Sequence, residues 1–405
     1  MVKIKQEQLD FLNWEFGVFF HFGIRSFNEG HKDWDMKPME LESFNPTEFD
    51  CEEWISTVHE AGAKYAVLVC KHHDGFANWP SAYTEYSVKN TPWKDGKGDV
   101  VQEFVDACRK YDIKVGLYYS PAQFGSAKMD SKEYDDYFIN QIKELLLNYG
   151  KIDYLWFDGC GSEGHKYDQA RIIGEIRKCQ PEILIFNMWD PDTRWIGNEW
   201  GVANVNNKLC VDALDFSINT SNKDQLEEKK FLPGECDCMM RFENWFFSEK
   251  DAHTVKSLDE LMGLYYYSVG RGSNLLINIG PDRRGKLPPE DKKAILEFGA
   301  KVKECFSDFI NSTQTAVDNK IIVQADNWYL INHVVLSEEI DGDNEIESFE
   351  IKAHVGGGTP ITVYRGTNIG HKAICQFPPI KTWKMEIHLD RKKDVTAKLK
   401  YIKMY

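Results

Sequence analysis

The chain has 405 residues, of which 42% are hydrophobic and 13% aromatic. This composition predicts a folded protein with a large core, and the length favours one large domain followed by a smaller one. The formal net charge of −15 argues against nucleic acid and against an anionic membrane surface as partners.

The N-terminal residues lack the apolar stretch typical of a signal peptide, and no apolar run reaches the length of a membrane span. Ten cysteines are scattered along the chain without a CxxC pair. We therefore expect reduced thiols in a cytoplasmic protein, with no structural metal. The sequence leaves the oligomeric state open.

Strand-like and helical segments alternate along the first three-quarters of the chain. Short apolar runs occur near residues 17–23, 63–70, 113–120, 154–157, 182–187 and 274–279. Helical patterns occur near residues 52–61, 99–111, 131–149, 166–179, 257–269 and 288–309, whereas residues 191–250 have the pattern of loops. The alternation predicts a parallel sheet with right-handed crossovers, closed into an irregular (β/α)8-like barrel over residues 1–312 with some helices missing.

The pattern changes after about residue 313. Short strand-like segments follow one another with glycine-rich and acidic turns between them, and no helical pattern intervenes. Residues 313–405 are therefore predicted to form an all-β sandwich.

The most informative stretch is residues 151–160 (KIDYLWFDGC), in which an apolar run leads directly into Asp158 and Gly159. Such a run reads as a buried parallel strand. A carboxylate at the end of this strand is desolvated unless the site uses it, and catalytic residues of barrels collect at the carboxyl ends of the strands. The structural alternative is that Asp158 caps the next helix or closes a turn with Gly159.

Other polar and aromatic residues are expected at the same edge of the barrel. They are His21, His72, His73, Tyr118, Trp156 and Asn187, with Trp34, Trp79, Trp195 and Glu199 on loops. Aromatic faces and neutral hydrogen-bonding groups are typical of a site for a sugar. Taken singly, His21 could be a satisfied core histidine, and His72 and His73 cannot both face the lumen of a regular strand.

Five segments together resemble glycoside hydrolase family 29, the α-L-fucosidases. They are residues 16–24 (FGVFFHFGI), 71–76 (KHHDGF), 116–120 (GLYYS), 155–159 (LWFDG) and 268–279 (SVGRGSNLLINI). The resemblance covers about residues 10–310. It implies a (β/α)8-like catalytic domain, a C-terminal β-sandwich, and a retaining enzyme that removes α-linked L-fucose without a metal or other cofactor.

The resemblance also implies roles for single residues. Asp158 matches the nucleophile, and the fucose-binding positions fall on His21, Asp33, Trp34, His72, His73, Tyr118 and Trp156. Asp33 stands where the family usually has glutamate, and Phe22 replaces a common tryptophan.

The family varies the position of its acid/base residue. Residues 194–201 (RWIGNEWG) resemble the segment that carries it in the subfamily acting on α-1,3/1,4-linked fucose, so Glu199 is the first candidate. Glu235 is the alternative candidate for the acid/base, although it could instead be structural or a subsite residue. Glu243 is the third candidate. Double displacement requires the two carboxyl groups to lie about 5–5.5 Å apart.

Two other functions are considered. The first is a fucose-binding or carbohydrate-binding homologue with little or no turnover, suggested by the departures at Asp33 and Phe22. The second is a metal-dependent (β/α)8 hydrolase that uses His72, His73 and Asp74 as ligands.

Overall fold

Eight parallel strands form the larger sheet of the computed structural model, which describes residues 2–29, 38–123, 130–160, 165–214, 224–340, 342, 346–391 and 399–405. In chain order the barrel strands are β1 (Phe16–Phe20), β2 (Tyr65–Lys71), β3 (Lys114–Tyr119), β4 (Tyr154–Phe157), β5 (Leu184–Phe186), β6 (Arg194–Trp195), β9 (Gly234–Met239) and β10 (Asn274–Ile279). Strands β7 (Cys210–Leu214) and β8 (Asp224–Phe231) form a separate antiparallel pair.

The strand order across the sheet is β5-β4-β3-β2-β1-β10-β9-β6, and the two end strands come close together. The backbone N–H of Asn187, just after β5, donates to the carbonyl of Thr193, just before β6, at 3.0 Å. The sheet is therefore nearly closed, which confirms the predicted (β/α)8-like barrel. Every residue of β2 and β10 is buried, as expected for parallel strands covered on both faces.

Helices cover the outside of most of the barrel. The α-helices are α1 (Gln6–Leu12), α2 (Cys51–Glu60), α3 (Val100–Lys110), α4 (Ser131–Asn148), α5 (Gln169–Cys179), α6 (Leu258–Tyr267) and α7 (Pro289–Phe306). Asp99 is the N-cap of α3, since its carboxylate accepts from the backbone N–H of Gln102 at 2.9 Å. Between α5 and α6 the described residues contain no α-helix, which agrees with the expectation of missing helices. The prediction of loops for residues 191–250 is wrong in part, because β6, β7, β8 and β9 lie there and are too short or too polar to show an apolar run.

Aromatic side chains fill the lower half of the barrel interior. Phe11, from α1, and Trp14 lie beneath the amino ends of the strands, where their rings pack against Tyr65 and Tyr154 at centroid distances of 5.3–6.3 Å. This plug closes the amino end of the barrel. The cavity that the described residues enclose lies at the carboxyl ends of the strands, where catalytic residues of such barrels lie.

The rest of the chain forms a six-stranded antiparallel sheet. Its strands are β11 (Ser312–Val317), β12 (Lys320–Glu338), β13 (Ile346–Ala353), β14 (Ile361–Gly366), β15 (Ala373–Arg391) and β16 (Leu399–Met404). The long strands β12 and β15 change register twice, between Gln324 and Tyr329 and between Ile331 and His333. Both halves of these strands contribute to one buried apolar cluster, so the sheet folds over a core of its own, as predicted for the C-terminal sandwich. The exact boundary at residue 312 stays a prediction.

The C-terminal sheet packs on the side of the barrel away from the cavity. Glu15, just before β1, accepts a hydrogen bond from Tyr265 Oη and forms an ion pair with Lys372 Nζ, each at 2.7 Å. The backbone N–H of Ile374 donates to Gly270 at 3.0 Å. Because these contacts lie at the amino ends of β1 and β10, they support the barrel without bordering the cavity.

None of the ten cysteines, all of which lie in described parts of the chain, forms a disulfide. Among the helices of the described ranges, none combines the length and the apolar character needed to cross a lipid bilayer.

Gly299 in α7 tests how tightly the helices pack around the barrel. A Cβ atom at this position would lie 2.0 Å from the carbonyl oxygen of Ala61 at the end of α2. We expect Gly299→Ala to lower the free energy of unfolding by about 2 kcal/mol, because backbone atoms must move apart. The matched control is Gly174→Ala in α5, where a Cβ meets nothing within 4 Å. It should raise stability by about 0.5–1 kcal/mol through helix propensity. Urea denaturation of both variants is the measurement, and equal effects would contradict the packing described here.

Candidate active site

A cavity of about 370 Å³ opens at the carboxyl ends of the barrel strands. This volume suits a small ligand such as a single sugar ring. The residues that line it come from nearly every strand of the barrel or the loop after it: Phe19, His21, His72, His73, Tyr118, Trp156, Phe157, Asp158, Gly159, Cys160, Phe186, Asn187, Trp195, Glu199, Asp237 and Trp245.

Asp158 follows β4 directly, as the sequence predicts, and both of its carboxylate oxygens accept hydrogen bonds. Oδ2 accepts from Tyr118 Oη, and Oδ1 accepts from the backbone N–H of Cys160, each at 2.8 Å. His73 Nε2 lies 3.4 Å from Oδ2, an ion pair when the imidazole is protonated. The turn after β4 therefore holds the carboxylate facing the cavity.

The pKa of Asp158 is lower than that of an ordinary aspartate. Burial alone would raise this pKa, but the charge and hydrogen bond of His73, the Cys160 N–H and the Tyr118 hydroxyl together outweigh burial. Asp158 is thus kept ionised in a cavity with largely aromatic walls. An ionised carboxylate that faces the cavity can act as a nucleophile.

His72 and His73 both line the cavity, although adjacent residues of a regular strand point to opposite faces. The register between β2 and β3 shifts between Val69 and Lys71, so the strand breaks its alternation just before the two histidines. Nδ1 of His73 lies 2.5 Å from Ser120 Oγ, which donates to the carbonyl of Ala122. Burial lowers the pKa of His72 well below its ordinary value, so this ring is neutral.

His21 follows β1 and is oriented by Asn278 on the neighbouring strand β10. Nδ1 of His21 lies 2.7 Å from the amide oxygen of Asn278, whose Nδ2 donates to the carbonyl of Trp245 at 2.7 Å. Burial lowers the pKa of His21 to about 3. The neutral ring therefore donates its Nδ1–H to Asn278, and its Nε2 is an acceptor.

Tyr118 and Trp156 form an aromatic wall beside Asp158. Their rings stack at a centroid distance of 5.4 Å, and Trp156 also stacks on Phe186 at 4.1 Å. Phe19 packs against the edge of both rings at 5.3–5.6 Å. Such a surface can pack against the apolar C–H face of a sugar.

Glu199 lies on the exposed loop after β6 and also lines the cavity. Its pKa is raised, first by partial burial of the carboxyl group and second by the negative charge of Asp158. Asp158 and Glu199 thus line the same cavity with pKa values shifted in opposite directions.

Glu235 is near the start of β9 and does not line the cavity, since it is fully buried beneath it. Its carboxylate accepts from Tyr65 Oη at 2.7 Å, from Trp156 Nε1 at 2.8 Å and from Tyr154 Oη at 3.3 Å. Burial raises the pKa of Glu235 to about 7, although the three hydrogen bonds oppose this shift. The hydrogen bond from Trp156 thus connects Glu235 to the wall of the cavity.

Asp237 lines the cavity but is absent from the residues singled out in the sequence. It lies two positions after Glu235 on β9 and so points to the same face, one step nearer the cavity. Trp195 Nε1 donates to its Oδ1 at 2.7 Å. Burial raises the pKa of Asp237 well above its ordinary value. Alternation along residues 234–239 would have indicated this residue, had the segment been recognised as a strand.

Four further predicted residues remain, and the structure describes two of them. Asp33 and Trp34 lie outside the described residues, so their predicted roles stay predictions. Glu243 is exposed and is not among the residues that line the cavity. Trp79 is buried in the barrel core, where its Nε1 donates to Glu144.

His72, His73 and Asp158 each offer one potential ligand atom, and these atoms lie within 4.8 Å of one another. Within the described ranges, these three residues form the group that could hold a metal ion, with Asp158 in place of the predicted Asp74. Asp74 instead accepts from the backbone N–H of Phe76 at 2.8 Å.

Comparisons with known proteins agree with the fold. Residues 3–304 match the protein family described as alpha-L-fucosidase. Alpha-L-fucosidase 1 of Arabidopsis thaliana is 30% identical over 90% of this chain and 80% of its own length. The plasma alpha-L-fucosidase of Rattus norvegicus is 24% identical over 78% of this chain and 72% of its own.

A solved structure is also similar to this chain in fold and sequence. The crystal structure of a glycoside hydrolase 29 family member from a rumen bacterium superposes with a TM-score of 0.90 at 30% identity, covering 99% of this chain and 77% of that one. The matched region contains the barrel and all the cavity residues. The chain belongs to the alpha-L-fucosidase family, glycoside hydrolase family 29, and is a glycosidase.

Proposed function

We propose that this enzyme is a retaining exo-α-L-fucosidase that removes terminal L-fucose by double displacement, with Asp158 as nucleophile and Glu199 as acid/base. The observation that carries the proposal is the pair of carboxyl groups with opposite pKa shifts in one cavity. Such a pair separates the two roles, because the ionised group attacks while the protonated group donates.

In the first step an Asp158 oxygen forms a bond to the anomeric carbon of fucose as the bond from that carbon to the glycosidic oxygen breaks. Glu199 transfers its proton to the departing oxygen, so the leaving sugar departs as a neutral alcohol. The product is a fucosyl ester of Asp158.

In the second step Glu199, now ionised, removes a proton from water as the water oxygen bonds to the anomeric carbon. The ester bond to Asp158 breaks, fucose is released with its original anomeric configuration, and Glu199 is protonated again. Two inversions at one carbon give net retention.

The remaining cavity residues are proposed to bind the fucose. His21 and His72 are neutral and can exchange hydrogen bonds with sugar hydroxyls, and the His21 Nε2 acceptor suits a hydroxyl that donates. The Tyr118 and Trp156 rings can pack against the apolar face of the sugar. Asp33 and Trp34 are proposed as further fucose contacts by their match to the family pattern. Because the barrel is plugged below this layer, the cavity suits a terminal sugar.

Glu199 is preferred to Glu235 as the acid/base because only Glu199 lines the cavity. The Glu235 carboxylate accepts hydrogen bonds from three buried donors. A proton on Glu235 could therefore not reach a glycosidic oxygen on the other side of Trp156. We propose α-1,3- and α-1,4-linked fucose as the substrate, since residues 194–201 resemble the subfamily with that preference.

The nucleophile role is tested with azide. We expect Asp158→Ala to lower kcat/KM by at least about a thousandfold, because the covalent step is lost. Azide should restore part of the rate and give β-fucosyl azide, since it attacks from the face that Asp158 occupied. Asn187→Ala, which leaves both carboxyl groups in place, is the control and should not respond to azide. Full turnover by Asp158→Ala would remove Asp158 from this role.

The acid/base role is tested by pH and by leaving group. For wild-type enzyme and a sugar leaving group, kcat/KM should fall on the alkaline side as Glu199 loses its proton, at a pH above the ordinary glutamate range. Glu199→Gln should remove this limb and cost about 10²–10⁴-fold with sugar leaving groups, but much less with activated aryl fucosides. Glu235→Gln is the matched control and should keep the limb. If Glu235→Gln abolishes the limb and Glu199→Gln keeps it, the assignment is reversed.

The metal alternative is tested by a chelator. Tyr118, His73 and the Cys160 N–H already keep Asp158 ionised, so we expect dialysis against EDTA to change kcat/KM by less than about twofold. A large loss that Zn²⁺ restores would instead favour a metal-dependent hydrolase built on His72, His73 and Asp158.

A further inference from the structure

Asp237 is a carboxyl group that lines the cavity together with Asp158 and Glu199, and the proposed reaction gives it no role. Only 3% of its surface is exposed. Within the described parts of the chain, it forms no ion pair with a lysine, an arginine or a histidine. A buried carboxylate without a cation partner is costly to desolvate, so this residue must either be neutral or bind something in the cavity.

The neighbours of Asp237 show which way its carboxyl group faces. On β9 its side chain lies on the same face as that of Glu235. Glu235 accepts from Trp156 Nε1 in the cavity wall at 2.8 Å, and Asp237, one alternation further along the strand, lines the cavity itself. Trp195 Nε1 donates to Asp237 Oδ1 at 2.7 Å. Because no other side chain of the described residues bonds to this carboxyl group, Oδ2 is left for a ligand.

The surroundings of Asp237 favour the protonated carboxylic acid. Burial raises the pKa of Asp237 well above its ordinary value, and the negative charges of Glu199 and Glu235 raise this pKa further. The hydrogen bond from Trp195 lowers the pKa but does not outweigh burial. Since the Trp195 N–H occupies Oδ1, the proton lies on Oδ2. The side chain therefore presents an O–H donor to the cavity.

A donor at this position complements the acceptors of the cavity. Nε2 of neutral His21 can accept a hydrogen bond from a sugar hydroxyl, but the oxygen of a hydroxyl also needs a donor. The ring oxygen of fucose is a poor partner for such a donor, because it gains positive charge in the oxocarbenium-like transition state. A hydroxyl oxygen stays a good acceptor throughout the reaction.

We propose that Asp237 is a substrate-binding residue that donates a hydrogen bond from Oδ2, as a neutral carboxylic acid, to one hydroxyl oxygen of the bound fucose. This inference rests on the proposed function, because it takes fucose as the ligand of the cavity. Around the nearly closed sheet, β9 lies across the barrel from β3, which carries Tyr118. Asp237 thus holds the sugar on the side opposite the Tyr118 ring.

The contact is tested by combining Asp237 variants with deoxygenated substrates. The substrates are 4-nitrophenyl α-L-fucoside and its 2-deoxy, 3-deoxy and 4-deoxy analogues, whose activated leaving group demands little of the acid/base. We expect Asp237→Leu to lower kcat/KM for the parent fucoside by at least about tenfold, because a hydroxyl is left unpaired. For the one analogue that lacks this hydroxyl, the loss should be less than about twofold. Asp237→Ala, a second variant without a donor and with less bulk, should show the same pattern.

Asp237→Asn distinguishes a neutral donor from a charged group. Trp195 donates to Oδ1 and so orients the amide with its Nδ2 towards the cavity. The amide keeps a donor and cannot ionise, so we expect kcat/KM for the parent fucoside to stay within about threefold of wild type. A loss as large as that of Asp237→Leu would show that a charged carboxylate is needed and would overturn the proposal.

Glu235→Gln is the matched control, since Glu235 is a buried carboxyl group on the same face of β9 that lies beneath the cavity. Any loss it causes should be equal for all four substrates. Equal losses for all four with Asp237→Leu would mean that Asp237 acts through Glu199 or only supports the fold, and would contradict the contact. So would a loss confined to disaccharide substrates, which would make Asp237 an acid/base.

Binding of free L-fucose separates this proposal from the proposed hydrolysis. Calorimetry should show affinity about tenfold weaker in Asp237→Leu and close to that of wild type in Asp237→Asn. If wild-type enzyme binds fucose but hydrolyses no fucoside, the proposed reaction is refuted, while this pattern of affinities still supports the contact. Hydrolysis by wild-type enzyme together with unchanged fucose affinity in Asp237→Leu would refute the contact alone.

Discussion

The proposed chemistry of this enzyme depends on keeping one carboxylate, Asp158, charged in an aromatic cavity. Burial raises the pKa of Asp158 and so favours its neutral form. Three groups lower this pKa: the His73 imidazole, the Cys160 backbone N–H and the Tyr118 hydroxyl. Each is supplied by a different barrel strand or by the turn after β4. The barrel therefore acts as a rigid frame that brings these donors to one point, and the plug of Phe11 and Trp14 closes the frame from below.

The same barrel gives neighbouring carboxyl groups different degrees of burial and different access to the cavity. Glu235 and Asp237 lie on one face of β9, one alternation apart, which corresponds to about 7 Å along a strand. The deeper residue, Glu235, is enclosed by Tyr65, Tyr154 and Trp156, while Asp237 lines the cavity. The depth of a carboxyl group within the barrel thus determines its possible role: Glu235 is structural, whereas Asp237 can contact a substrate. Glu199 is on the rim, where solvent can exchange its proton.

The sequence predicted the barrel, the C-terminal sheet and the position of Asp158, because buried parallel strands are recognisable as apolar runs and their ends are marked by polar residues. Strand alternation alone could not place both His72 and His73 in the cavity, since that depends on the register shift between Val69 and Lys71, whereas the family resemblance named both. Asp237 was also missed, because β9 is interrupted by polar residues and lacks the apolar run of β2 or β10.

The most direct test of the central claim is to trap the fucosyl ester. Incubation with 2-deoxy-2-fluoro-α-L-fucosyl fluoride, followed by proteolysis and mass spectrometry, should give one fucosylated peptide with the sugar on Asp158, and loss of activity should follow its formation. An adduct on Glu199, on Asp237 or on any other residue would contradict the account, as would a fully inactivated enzyme that carries no covalent sugar.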